Sequence, residues 1–244
     1  MKTLILLSLA FASCSLGHAD ERGKLIFSDN FERTASQQTN DEVGNGWTTN
    51  SASRAGGNKQ VDLKNGAMHI AMHPTADHAV SVAHEAGFRD GTVELRFMLE
   101  DAKDSLGVDF ADLQCKEVWA GHLFKIDVGV GKVSIMDSKF GTMSLENRNL
   151  RLAGKLTPEQ QKAIAALKKN FTAPIATGKW HSLSIRIVGD IAAVALDGKP
   201  IGSFASAAFA HPTKRMIRLG VPRKAVVDDV MIFALTATGS PGEK

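Results

Sequence analysis

The stretch GKWHSLSIRIVGDIAAVALDGKPIGSF, from Gly178 to Phe204, constrains the fold of this chain more than any other. From His181 to Ile187 the odd positions are His, Leu, Ile and Ile and the even positions are Ser, Ser and Arg, which is typical of a half-buried β-strand. Gly189-Asp190 and Asp197-Gly198 are two-residue turn signals, because tight turns between paired strands need residues that tolerate positive φ. The stretch therefore predicts three antiparallel strands joined by two hairpins, with Trp180 in the core.

The same pattern recurs through most of the chain. Asn65-Gly66, the strongest turn signal of this kind, separates two short strand candidates. A first strand before Asn30 and a last strand over 225–235 are expected to pair and close a sheet edge. About ten strands in all predict an all-β fold, an antiparallel jelly-roll β-sandwich. Other strands are expected at 79–88, 91–100, 105–110, 123–130 and 132–137.

One inserted α-helix interrupts the β pattern. Thr157 is placed as its N-cap, Pro158 as its first helical residue, and Gln160 completes a capping box. The helix is predicted to run over 157–170 and to brace the sandwich, with a lid as the alternative. We expect one domain over 20–235 and a flexible tail over 236–244, since a sandwich of this length is usually a single unit.

Residues 1–19 have the features of a secretory signal peptide. One Lys is followed by an apolar run and then by small residues, and Gly17 and Ala19 suit a signal peptidase. The alternative is a lipid anchor on Cys14, because the preceding residues loosely resemble a lipoprotein box. Cleavage after Ala19 would leave Cys115 as the one cysteine, so the fold would rest on core burial and not on a disulfide.

The exported protein should begin at Asp20, in the periplasm or outside the cell. N-terminal sequencing of the protein recovered from those fractions checks this expectation. A lipid-bearing N-terminus at Cys14 would select the anchored alternative instead.

Charge and hydropathy exclude two classes of partner. The formal net charge is only +3, and the basic residues are dispersed, so nothing indicates nucleic-acid binding. No segment after the first is apolar over the length needed to cross a membrane. The sequence leaves the oligomeric state open.

The order of motifs resembles a known family of secreted bacterial jelly rolls. LIFSDNFER, LKNGAMHI, FRDGTVELRFML, the 178–204 stretch and DDVMIFAL follow one another as in concanavalin A-like domains. Among these the chain is similar to the 3-keto-disaccharide hydrolase domain family, which is described as family 16 glycoside hydrolase-like. The resemblance implies a carbohydrate ligand and cleavage of 3-keto-glycosides. Two of the family's site patterns differ in this chain. Ser105-Leu106-Gly107 is present where the family has Asn-Ser-Gly, and Gly121-His122-Leu123 is present where the family has Gly-x-Glu.

The middle strands hold the one mixed group of His, Lys and Asp. Ordinary glycoside hydrolysis needs two carboxylates, but the Glu-x-Asp-x-x-Glu strand of family 16 enzymes is absent. A 3-keto sugar instead needs a base and a group that polarises a carbonyl. We therefore assign His122 to proton transfer, Asp109 and Asp127 to orienting it or binding a cation, and Lys125 to the substrate oxygen. On a regular strand His122 and Lys125 would face opposite sides, unless a bulge intervenes.

Binding residues and metals are less constrained. Trp47, in the polar loop over 33–60, and Trp119 are candidate sugar platforms. His69 and His73 would share a strand face, which is expected to be a solvated sheet face, with a metal site as the alternative. A divalent cation such as calcium at Asp228-Asp229 is a further expectation. Three functions stay open: a carbohydrate-cleaving enzyme, a non-catalytic carbohydrate-binding module, and an envelope scaffold or interaction domain.

Overall fold

The structure, a computed structural model, describes residues 22–35 and 37–235. The predicted signal peptide with Cys14, and the predicted tail over 236–244, lie outside the described residues. Within those residues, no helix has both the length and the apolar character needed to span a membrane.

The secondary structure is dominated by strands, as predicted. The strands of the described part are β1 (Lys24–Asp29), β2 (Thr48–Thr49), β3 (Val61–Lys64), β4 (Ala67–Ala71), β5 (Val80–Phe88), β6 (Gly91–Met98), β7 (Ser105–Ala111), β8 (His122–Gly129), β9 (Gly131–Asp137), β10 (Lys168–Ala173), β11 (His181–Val188), β12 (Ile191–Leu196), β13 (Lys199–Ala205), β14 (Lys214–Val221) and β15 (Lys224–Ala234). The helices are α1 (Ser51–Arg54), α2 (Leu145–Leu152), α3 (Pro158–Ala166) and a 3-10 turn over Trp119–Gly121.

Two antiparallel sheets face each other across one hydrophobic core. The first sheet has the order β13-β12-β11-β6-β15-β4-β3, with β1 also paired to β15. The second has the order β10-β9-β8-β7-β14-β5-β2. Buried apolar side chains from both sheets form a single cluster. The predicted antiparallel jelly-roll sandwich is confirmed.

The hairpins form where local turn chemistry predicted them. Asn65 and Gly66 join β3 to β4 with φ of 54° and 69°. Asp197 and Gly198 join β12 to β13 with φ of 50° and 72°. Positive φ at both central positions gives the turn a twist that matches the twist of the strands it joins.

The two ends of the described chain meet in the first sheet. The N-terminal part of β15, Lys224–Val227, pairs with β4, and its C-terminal part, Val230–Ala234, pairs with β1. The other edge of β15 pairs with β6. The expected pairing of the first and last strands is therefore confirmed.

Asp29, at the end of β1, anchors the loop that follows it. Its carboxylate accepts hydrogen bonds from Arg33 Nη1 and Nη2 at 2.7 and 2.8 Å and from Asn45 Nδ2 at 3.0 Å. It also accepts from the Phe31 backbone N–H and from Trp47 Nε1, both at 2.9 Å. These donors outweigh burial, which alone would raise the pKa, and they hold the pKa of Asp29 at about 2.

Two tryptophans lie where the sequence did not place them. Trp47 is only 6% exposed and packs edge-on against Phe27, so the prediction of a sugar platform there is wrong. Trp180 is 37% exposed rather than buried in the core, and the Arg96 guanidinium lies 4.8 Å from its ring centre. Burial of Trp47 depends on Asp29, a partner 18 residues away that the loop composition does not indicate.

The insertion between β9 and β10 holds two helices, where one was predicted. The Thr157 capping box is confirmed, since Thr157 and Gln160 exchange hydrogen bonds of 2.9 and 3.2 Å. The helix ends at Ala166 and not at 170, because the next residues leave it to pair with the edge of β9. The unpredicted helix α2 is capped by the Ser144 hydroxyl, which accepts from the Asn147 N–H at 3.1 Å.

Candidate functional site

A β-bulge in β8 resolves the conflict between His122 and Lys125. Phe110 pairs with Phe124, but the next residue of β7, Ala111, pairs with His122, so Leu123 has no partner on β7. Leu123 and Phe124 are consequently both buried, while the residues on either side of them are partly exposed. The extra residue shifts the alternation by one and brings His122 and Lys125 to the same outer face.

These side chains line a cavity of about 490 Å³ on the outer face of the second sheet. The cavity crosses β5, β14, β7, β8, β9 and β10, which are consecutive neighbours in that sheet. All four residues predicted to carry catalysis, Asp109, His122, Lys125 and Asp127, contribute to its lining. The cavity is therefore the candidate site.

Strand register arranges the lining in rows across the sheet. In the first row Arg218 of β14 is opposite Asp109, Asp109 is opposite Lys125, and Lys125 is opposite Met136. Lys168 of β10 is opposite Met136 and is the last residue of the row. Charged groups from four strands thus face the same space.

The second row has glycines at its centre, which carry no side chains into the space above the sheet. Gly220 of β14 is opposite Gly107 of β7, and Gly107 is opposite Asp127. A methyl group on Gly107 would collide with the Lys125 side chain and approach Asp127 Oδ1 to 2.8 Å. The missing side chains leave room for the Lys125–Asp127 pair and for a ligand above the sheet.

His122 is held by a buried carboxylate. Its Nδ1 is within hydrogen-bond reach of Asp109 Oδ2, and Asp109 is only 5% exposed. A carboxylate can only accept at neutral pH, so this contact assigns the imidazole hydrogen to Nδ1 and leaves Nε2 as a lone pair. Among residues 22–35 and 37–235, no hydrogen bond engages Nε2.

Arg218 completes the group from the neighbouring strand. Its Nη1 lies 4.0 Å from Asp109 Oδ2 and 3.5 Å from His122 Nδ1, and its Nη2 donates to the Ala120 carbonyl at 2.8 Å. Arg218 was not among the predicted site residues, because β14 was not among the predicted strands. The signal was present, since Ile217, Leu219 and Val221 alternate as buried residues with Arg218 and Gly220.

Lys125 and Asp127 form a separate ion pair. The Nζ of Lys125 lies 2.6 Å from Asp127 Oδ1, and each side chain is about one-third exposed. Both carboxylates of the predicted set therefore have a partner, Asp109 in His122 and Arg218 and Asp127 in Lys125. A basic imidazole nitrogen and two nearby cations are the chemistry that the site offers.

Trp119 lies beside the cavity. It is 48% exposed, and it begins the 3-10 turn that leads directly into His122. Its backbone N–H donates to the carbonyl of Met143, a cavity residue, at 2.8 Å, and the Arg148 guanidinium lies 3.7 Å from its ring centre. The backbone of Trp119 is thus joined to a residue that lines the cavity, and its indole packs against Arg148.

The predicted metal positions do not form ligand sets. Arg96 Nη1 lies 3.3 Å from a carboxylate oxygen of both Asp228 and Asp229, so one guanidinium offsets part of the negative charge of this pair. β4 ends before His73, whose Nδ1 instead contacts Thr75 Oγ1 at 2.8 Å. In the part of the chain that the structure describes, no group of three or more His, Cys, Asp or Glu side chains is close enough to hold a metal. Calcium takes six to eight oxygen ligands, which include backbone carbonyls and water, and a calcium site at Asp228-Asp229 stays a prediction.

Comparisons with known proteins identify the fold. No family model and no curated protein matches this sequence. The laminarinase from Rhodothermus marinus is 12% identical with a TM-score of 0.59, covering 87% of this chain and 98% of that one. The endo-β-1,3-glucanase from Pyrococcus furiosus is 15% identical with a TM-score of 0.53, over 87% and 94%. The carbohydrate binding module CBM66 from Bacillus subtilis is 14% identical with a TM-score of 0.50, over 76% and 93%. With its two antiparallel sheets, the chain has the concanavalin A-like jelly-roll fold.

Proposed function

We propose that this protein is carbohydrate-active and cleaves 3-keto-glycosides in the cavity of the second sheet. The observation that carries the proposal is the His122–Asp109 contact, which leaves a basic imidazole nitrogen on the same face as Lys125 and Arg218. Support for a sugar ligand comes from the solved structures of this fold, which include glucanases and a carbohydrate binding module. The predicted signal peptide over 1–19 supports a substrate outside the cytoplasm.

The state of the two carboxylates favours elimination over direct hydrolysis. A two-carboxylate mechanism needs one group to donate a proton to the leaving oxygen while the other attacks or activates water. Asp109 is buried against His122, and Asp127 is paired with Lys125. A ketone at C3 removes this requirement, because it acidifies the neighbouring C2–H bond.

The reaction then proceeds as elimination followed by addition of water. His122 Nε2 takes the C2 proton, and the negative charge moves to the C3 oxygen, facing the Lys125 ammonium. Reformation of the ketone makes the C1=C2 double bond and breaks the bond from C1 to the leaving oxygen, which takes the proton from the His122 imidazolium. His122 Nε2 then takes a proton from water as the water oxygen adds to C1, and the imidazolium returns that proton to C2, so the sum is hydrolysis.

Asp109 and Arg218 serve as positioning residues in this scheme. Asp109 fixes the imidazole hydrogen on Nδ1 and stabilises the imidazolium when it forms. Arg218 Nη1 lies 4.0 Å from Oδ2 of that carboxylate, and the guanidinium is itself held by the Ala120 carbonyl. The exposed ring of Trp119 is proposed to stack on a sugar at the rim of the cavity.

Binding without catalysis is the second candidate function. The absence of the Glu-x-Asp-x-x-Glu strand favours it, since a jelly roll without those carboxylates can still hold a glycan in its groove. A scaffold role would require neither turnover nor binding.

Replacing His122 with Gln should reduce turnover of a 3-keto-glucoside at least 100-fold, because general-base catalysis contributes about 10²–10⁴ in rate. The measurement is release of the aglycone from 3-keto-glucosides and from intact glucosides, with and without a chelator. The intact glucosides should not react, since they lack the acidified C2–H bond. The chelator arm tests whether a cation takes part.

His181→Gln is the matched control. His181 Nδ1 contacts Asp197 Oδ2 at 2.8 Å, which reproduces a His–Asp pair on the other sheet, outside the cavity. Its turnover should equal that of the unaltered protein. Equal loss in both variants, or no loss in a folded His122→Gln protein, would refute the assignment. Saturable sugar binding without turnover would select the binding module.

A further inference from the structure

The charges that line the cavity do not balance. Its fixed cations are Lys125, Lys132, Lys168 and Arg218, and its carboxylates are Asp109 and Asp127. Arg218 lies beside Asp109, and Lys125 is paired with Asp127. Within the described residues, neither Lys132 nor Lys168 has a carboxylate within 4.0 Å. The wall formed by β9 and β10 is therefore positively charged without compensation.

The two lysines lie at opposite ends of this wall. Lys168 is opposite Met136, and Lys132 is on the same face of β9 four residues away. At about 3.3 Å per residue this separates their backbones by roughly 13 Å along the strand. Ser134 lies between them and is uncharged, and its hydroxyl donates a hydrogen bond to Asn170 Oδ1 at 2.7 Å. The wall thus carries two separate ammonium groups and not one clustered charge.

We propose that the cavity takes a polyanionic glycan, an oligosaccharide with carboxylate or sulfate groups on more than one sugar unit. This rests on the proposed function insofar as a glycan occupies this cavity. Lysine ammonium groups bind anionic oxygens as point charges, and a cavity of one charge sign concentrates ligands of the other. The spacing of the two lysines matches charges repeated along a chain better than a single anionic group.

The test measures binding of one β-1,3-glucan tetrasaccharide in three forms, neutral, oxidised to the carboxylate at C6, and sulfated. At low salt at least one anionic form should bind about tenfold more tightly than the neutral form, and the preference should shrink as salt rises. The carboxylate and sulfate arms distinguish the two sources of charge. A tetrasaccharide charged on only one unit should show a smaller preference.

The Lys132→Gln/Lys168→Gln double variant should lose this preference and keep its affinity for the neutral form. Lys179→Gln/Lys199→Gln is the matched control, because it removes the same charge from residues outside the cavity. Equal affinity for all forms, no binding of any form, or a preference that the double variant retains would overturn the proposal. Turnover of a neutral 3-keto-glucoside, abolished by His122→Gln, would show that the proposed function survives such a failure.

Discussion

Replacing Asp29 with Asn should lower the free energy of unfolding by about 2–4 kcal/mol, because hydrogen bonds to a charged group contribute about 1.5–3 kcal/mol and this carboxylate accepts several. The carboxylate accepts from Arg33, Asn45, Trp47 and the Phe31 backbone, and its side chain is 2% exposed. Asn has one side-chain oxygen in place of two, so the bidentate contact with Arg33 is lost. The loop that brings Trp47 into the core would lose its anchor.

The same residue predicts an acid dependence of stability. The pKa of Asp29 is about 2 in the folded protein, compared with 3.8 for an unperturbed aspartate. A lowered pKa stabilises the folded state above about pH 4, and this contribution, about 2 kcal/mol, is lost as the pH falls toward 2. Asp29→Asn should lack this component of the acid sensitivity.

Urea denaturation at pH 7 and at intervals down to pH 2.5 measures both effects. Asp77→Asn is the control, because Asp77 is 66% exposed and lies 3.5 Å from Arg54 in a surface pair. Such pairs contribute at most about 1 kcal/mol. A loss below about 1 kcal/mol for Asp29→Asn would contradict the role of Asp29 as an anchor.

Replacing Phe124 with Ala should cost about 3–5 kcal/mol, in the range of large-to-small changes in a packed core. Phe124 is fully buried, stacks on Phe110 at 4.5 Å between ring centres and meets Phe209 edge-on at 4.9 Å. Its removal leaves a cavity directly beneath the bulge that sets the orientation of His122. The melting temperature should fall by about 6–20 °C, since each kcal/mol shifts a domain of this size by about 2–4 °C.

Calorimetry of Phe124→Ala beside Phe140→Ala checks this prediction. Phe140 is 47% exposed and contacts the Lys139 ammonium, so its loss should change the melting temperature little. Similar shifts for the two variants would mean that the core does not depend on the stacked phenylalanines.

Features that depend on neighbouring residues could be predicted from the sequence. The Asn65-Gly66 and Asp197-Gly198 turns require positive φ, which few residues adopt. The identity of two consecutive residues was therefore enough to predict each turn. The strands that carry Asp109 and Asp127 were likewise predicted, at 105–110 and 123–130, although in the structure the second begins at His122. The capping box of Thr157 identified the start of its helix.

Features that depend on distant partners could not be predicted in this way. The regular alternation of a strand would put His122 and Lys125 on opposite faces. The bulge that brings them to one face arises only from the pairing of β7 with β8. Trp47 lies in a polar loop, yet its burial is set by Asp29. Lys168 continues the preceding helical pattern, but pairing with β9 draws it into a strand.

The position of β15 has a consequence for the order of folding. Its pairing partners β1, β4 and β6 come from the first half of the chain, while β15 is the last strand in the described sequence. The first sheet therefore cannot be completed during synthesis until nearly the whole chain is available, and contacts of such high sequence separation form slowly. During this interval β1, β4 and β6 are already made but lack the strand that joins them.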